Sequence, residues 1–216
     1  VPRVSKSAAL ARASWPHSGW DVPSFRAGVA LILAVEAPSR YLRIRPGAAG
    51  EAAALFGDGV AAALLASDPV GPDSVPVQDV TLSSHGEAVD LIRAEPNSAG
   101  GVDLSMDGGA LASRAVRAMA QEVRELTRDR RLQVRDLDGV VVQGGNGRMP
   151  ALVARQLGMP VEYVWSCTAE MRNLGAASLP ASWAALPSPP RGPVVWTAAG
   201  AGLISGAALT GTLRKK

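Results

Sequence analysis

The stretch "VVVQGGNGRM" at 140–149 sets two amide side chains, Gln143 and Asn146, and one cation, Arg148, among three glycines directly after three valines. The valines read as a buried strand. Gly144, Gly145 and Gly147 let the backbone turn sharply and approach another group closely. Pro150 suits the first turn of a helix. A strand end with polar groups on show, followed by a helix, is where α/β proteins place binding and chemistry. Gln143 donates a hydrogen bond but cannot act as a base near neutral pH. The chemistry on offer is therefore polarisation of a carbonyl, not proton transfer.

Other candidates are sparser. Cys167 is the one cysteine, so no intrachain disulfide can form and a cytoplasmic setting is favoured. It follows an apolar strand and reads as a small buried residue. His85 lies in the turn "SSHGE", where exposure is expected, and His17 lies in an irregular segment; neither has an obvious partner for a metal. "FGDG" at 56–59 lacks a following Gly-Lys-Ser/Thr and reads as a structural turn, not a phosphate loop. Asn173, in "RNLGAAS", suits either a polarising amide or a helix N-cap. Arg114, Arg117, Arg124 and Arg128 form either a solvated helix face or a docking surface for an acidic carrier protein.

The elements around these residues follow from periodicity. Ala112, Val116, Met119, Val123 and Leu126 fall at 4-3-4-3 spacing and predict a helix over about 108–130. Strands are predicted at 29–35, 79–84, 87–94, 139–143, 161–166, 193–198 and 203–213, and strand, kink and strand over 53–67. Short helices are predicted at 150–157, ended by Gly158, and at about 175–186. Residues 68–77, "DPVGPDSVPV", have linker composition, and 1–25 are poorly patterned. Strands alternating with helices after residue 79 imply a layered α/β unit with a mostly parallel sheet.

Length and composition agree with a folded α/β protein. The chain has 216 residues, 47% hydrophobic and 19% charged, with net charge +3. The mild charge excess does not point to nucleic acid, and no apolar run is long enough for a membrane span.

Five stretches together carry a resemblance: "LFGDGVAAALLAS", "MDGGALASRAVRAM", "DLDGVVVQGGNGRM", "RNLGAASLPASWAAL" and "TAAGAGLISGAAL". In this order and spacing they resemble the second part of thiolase-fold condensing enzymes of the β-ketoacyl-ACP synthase III kind, over about residues 27–213. The resemblance implies a thiolase-like α/β fold. It would comprise a complete C-terminal half, a five-stranded mixed sheet with helices, over 79–216. A linker would occupy 69–78, and an incomplete N-terminal half, its last two strands, would lie within 1–68.

The resemblance also implies roles. The family's nucleophilic cysteine, at the start of a buried helix, maps to about Ser7–Ala13, where this chain has none. Its catalytic histidine maps to Gln143. Its catalytic asparagine maps to Asn173, with Arg172 where the motif has glycine. The backbone donor of its glycine-rich turn maps near Ala201. Gly145, Asn146 and Arg148 map to the strand-end motif that lines the substrate site. No bound cofactor is implied; acyl-CoA or acyl-ACP is the substrate. The chain is expected to be a cytoplasmic subunit or fragment handling acyl thioesters in fatty-acid or polyketide-type biosynthesis. Its expected partners are a complementary N-terminal thiolase-like polypeptide that supplies any cysteine, an acyl carrier protein, and a second copy of the assembly, with no nucleic acid and no membrane. The alternatives are a non-catalytic subunit that shapes an active partner's pocket and a stand-alone acyl-binding module.

Overall fold

The computed structural model describes residues 8–12, 28–42 and 52–213. An eight-stranded mixed sheet runs in the order β2-β3-β1-β4-β10-β9-β7-β8, and β5 and β6 form a separate hairpin. The strands are β1 (Ala8–Arg12), β2 (Val29–Glu36), β3 (Gly59–Ala66), β4 (Val75–Ser84), β5 (Ile92–Pro96), β6 (Val102–Met106), β7 (Gly139–Val142), β8 (Val164–Trp165), β9 (Val194–Gly200) and β10 (Ile204–Thr210). The helices are α1 (Gly108–Asp129), α2 (Met149–Leu157), α3 (Thr168–Met171) and α4 (Ser178–Ala184). Among the described residues no helix is long and apolar enough to cross a membrane.

α1 forms where its stripe predicts. Asp107 caps it by accepting the Ala110 N–H at 3.0 Å. Val116, Met119, Val123 and Leu126 are buried against Val140, Val142, Val195 and Leu209 of the sheet. α2 packs beside α1 and ends at Gly158, whose left-handed φ of 69° suits glycine. The other sheet face carries α4, where Trp183 and Leu179 cover Val141, Val194 and Trp196. Alternate valines of β7 thus feed two cores, as expected for a strand buried on both sides.

Several elements differ from the sequence expectation. Residues 87–94 do not form one strand; Gly86–Leu91 is a 3-10 helix, and β5 starts only at Ile92. Ala88 turns inward and is buried, its N–H bonded to the His85 carbonyl, which breaks the alternation. Residues 161–166 hold a 3-10 turn and only two strand residues. In 53–67 the first predicted strand is reduced to an isolated bridge between Phe56 and Asn173. Gly57 lies so close to the neighbouring loop that a Cβ there would sit 2.5 Å from the Met171 carbonyl oxygen. β4 begins at Val75, inside the stretch read as a linker. His85 is half-buried, its Nε2 3.1 Å from Ser205 Oγ, which donates to buried Glu122.

A third strand of the N-terminal part is also present. β1 pairs in parallel with both β3 and β4, so Ala8–Arg12 is a central strand. That segment was expected to hold a helix start, the place of the family's cysteine; strand hydrogen bonding takes it instead. Ser7, Ala13 and His17 lie outside the described residues.

The β2 edge has an unusual surface. Val29, Leu31, Leu33 and Val35 alternate along one face and are all exposed, Leu33 by 62%. Val60, opposite Val35 in β3, is exposed as well. On the other face Ala34 and Ala61 pack against Leu174, Ala177 and Cys167. A second bare apolar group, Val80, Leu82 and Ile204, lies on β4 and β10.

Candidate functional site

The valines of β7 deliver Gln143 to the strand end. Its backbone N–H donates to the Thr197 carbonyl at 3.0 Å, extending the β7–β9 ladder by one residue. The chain then turns through Gly144, where a Cβ would sit 2.4 Å from Thr168 Oγ1. Thr168 Oγ1 donates to the Gly144 carbonyl at 3.0 Å. This close contact ties the β7 end to α3, and glycine is required for it.

Asn173 arrives from the other side. Its N–H donates to the Leu55 carbonyl at 2.9 Å, and its carbonyl accepts the Gly57 N–H at 3.0 Å. The "FGDG" turn therefore serves as a brace for Asn173. Asp58 in that turn accepts both the N–H and the hydroxyl of Ser39, and these bonds hold its carboxyl below the usual range. The Asn173 side chain is 7% exposed. Its Oδ1 accepts the Gly175 N–H at 3.0 Å, an Asx turn leading into the next helical segment.

These two residues, 30 positions apart, meet: Gln143 Nε2 donates to Asn173 Oδ1 at 3.0 Å. They line a cavity of 470 Å³ together with Gly145, Asn146 and Ala201. Its apolar wall comes from Leu55, Phe56, Ile92, Met106, Leu111, Met149 and a series of alanines, and among the described residues no charged one lines it. Five of the six predicted site residues therefore share one cavity. Arg148 does not line it; that residue is exposed at the start of α2, with its N–H on Asn146 Oδ1 at 2.9 Å.

Sequence reasoning missed the wall supplied by Ile92, Met106 and Leu111. The hairpin's place over the site carries no local signal. Cys167 lies elsewhere, 3% exposed, with its N–H on Ser182 Oγ. Burial pushes its thiol pKa up, against the opposing pull of Ser182. A thiol held protonated in a packed core is a poor nucleophile. Among the described residues no group of acidic, cysteine or histidine side chains is placed to hold a metal ion.

The loop before Asn173 carries backbone strain. Arg172 has φ 65° and ψ −171°, a region that strongly favours glycine.

The likeness to known proteins agrees with this architecture. No protein-family profile matches the chain. β-Ketoacyl-[acyl-carrier-protein] synthase III of Oleidesulfovibrio alaskensis is 32% identical over 176 residues, covering 73% of this chain and 52% of that protein. β-Ketoacyl-[acyl-carrier-protein] synthase III 2 of Streptomyces coelicolor is 35% identical over 128 residues, covering 59% and 38%. The chain thus spans about half, or less, of the length of these curated relatives. The crystal structure of 3-oxoacyl-(acyl carrier protein) synthase III from Pseudomonas aeruginosa superposes with a TM-score of 0.76 at 31% identity, covering 90% of this chain and 62% of that one. Xanthomonas campestris OleA shares the fold at 18% identity, with a TM-score of 0.75. The fold is the thiolase-like α/β fold, and the chain resembles β-ketoacyl-ACP synthase III.

Proposed function

We propose that this chain is the acyl-thioester-holding part of a β-ketoacyl-ACP synthase III-like protein, and that its cavity polarises the carbonyl of an acyl group delivered as acyl-CoA or acyl-ACP. The observation that carries this reading is the Gln143–Asn173 pair at the edge of a largely apolar cavity with no charged residue among its described lining. Amide donors fixed in a desolvated site stabilise negative charge that develops on a carbonyl oxygen. Asn173 Nδ2 supplies one donor, and the Ala201 backbone supplies a second at the rim. The protein needs no resident cofactor for this work.

Acyl transfer also needs a nucleophile. In this proposal a cysteine thiolate of a complementary N-terminal thiolase-like polypeptide attacks the thioester carbon. The new carbon–sulfur bond forms as the bond to the carrier breaks, and the carrier leaves as a thiolate. Gln143 takes no proton in this step. The same polypeptide supplies strands beside β2 and covers the apolar residues exposed on β2 and β3. Residues 1–68 belong with it, and the assembled unit pairs with a second copy.

A second reading is favoured by Gln143 itself. A cavity lined by no base among the described residues, in a chain whose one cysteine is buried elsewhere, suits a non-catalytic subunit that shapes an active partner's pocket. One experiment separates the two. The native assembly is given labelled acyl-CoA and a malonyl thioester, and Asn173→Ala is compared with the unaltered protein. Condensed product that falls at least about tenfold, as for loss of one charge-stabilising donor, supports the first reading. Acyl-CoA binding without product supports the second, and binding indifferent to Asn173→Ala removes Asn173 from the site.

A further inference from the structure

The orientation of both amides follows from one backbone group. The Gly175 N–H can only donate, so the Asn173 atom it meets at 3.0 Å is the carbonyl oxygen, Oδ1. Gln143 reaches that same oxygen, so it does so through Nε2. No choice of amide flip remains at either residue. What is left for a ligand is a donor, Asn173 Nδ2, and an acceptor, Gln143 Oε1. Neither atom has a partner among the described residues, and both residues line the cavity. Among the described residues the cavity wall holds no charged side chain, so an ionised head group would find no described ion-pair partner there, at high cost.

We propose that this pair selects acyl groups carrying a hydrogen-bond donor close to the carbonyl, of which a 3-hydroxyacyl thioester is the simplest. The thioester carbonyl accepts from Asn173 Nδ2, and the hydroxyl donates to Gln143 Oε1. A 3-oxoacyl group brings two acceptors and no donor, and a plain acyl group brings only its carbonyl. Either one removes water from Oε1 without replacing its hydrogen bond. An unpaired buried acceptor of this kind weakens binding by about tenfold. The selectivity is independent of pH across the neutral range, because neither amide titrates there. The inference rests on the reading that the cavity takes an acyl thioester.

The test is calorimetric titration of the native assembly with decanoyl, 3-oxodecanoyl and 3-hydroxydecanoyl thioesters of pantetheine, a carrier without charge. The hydroxy ligand is expected to bind about tenfold tighter than the other two, and Gln143→Leu is expected to abolish that preference. Equal affinities for all three on the unaltered protein, a comparison that needs no variant to fold, would overturn the inference and leave the acyl-thioester reading intact. A preference that persists in Gln143→Leu would also overturn it. Binding of none of the three would sink both.

Discussion

Arg172→Gly should stabilise the protein, although it removes a long side chain. Arg172 holds φ 65° and ψ −171°, where a residue with a Cβ is strained by about 1–3 kcal/mol. Glycine relieves that strain but widens the unfolded ensemble, which costs about 0.4–1 kcal/mol. The side chain is exposed and has no ion pair with another described residue, so little else is lost. The net expectation is a gain of about 1 kcal/mol, or about 2–4 °C in Tm for a chain of this size. Arg172→Ala is the control: it removes the guanidinium, keeps the Cβ, and should gain nothing. Thermal unfolding by calorimetry and by circular dichroism reads both variants. An Arg172→Gly protein no more stable than the Ala variant would refute the strained backbone and, with it, the loop geometry that presents Asn173.

Other perturbations follow from the same contacts. Gly144→Ala forces a Cβ against Thr168 Oγ1 and should cost about 1–3 kcal/mol in denaturant titration, with Thr168→Ala in the same chain recovering part of it. Met119→Ala, in the fully buried stripe of α1, should cost about 2–5 kcal/mol. The Cys167 thiol should resist alkylation in the native state and react on unfolding. Its raised pKa means the unfolded thiol ionises first. That contribution to stability is complete below the ordinary thiol pKa and is lost as pH rises from there through the folded value, which a pH series of melts compared with Cys167→Ala detects. Expressed alone, the chain should self-associate through the exposed β2 and β3 residues. Leu31→Glu with Leu33→Glu should restore solubility, as read by light scattering, and should abolish co-purification with the complementary polypeptide proposed above.

Much of the fold was legible because its strongest elements are periodic over many residues. The α1 stripe fixed both the helix and its buried face, and the valine run of β7 announced a strand covered on both sides. Where the signal is short, tertiary context decides. "AALAR" has too few residues and no alternation to mark β1, which exists through pairing with β3 and β4. "EAVDLIRA" alternates well enough for a strand, yet its first half turns into a 3-10 segment to bury Ala88. For the site, spacing alone could not bring Gln143 and Asn173 together across 30 residues; family resemblance suggested that pairing, and the hydrogen bond between the side chains supplies its geometry. The strain at Arg172 left no mark in composition; its one trace in the sequence was the arginine where the resembled motif has glycine, and the backbone angle shows what that costs.

The central claim is that Asn173 polarises an acyl carbonyl in this cavity, and the carbonyl itself reports on it most directly. Infrared difference spectroscopy of a carbonyl-labelled acyl-pantetheine thioester, bound to the native assembly, measures its stretching band. Hydrogen bonding from Asn173 Nδ2 should move that band to lower frequency than in water-free solvent, and Asn173→Ala should return it toward the unbonded position. A bound ligand whose band does not move, or moves equally in both proteins, would contradict the account.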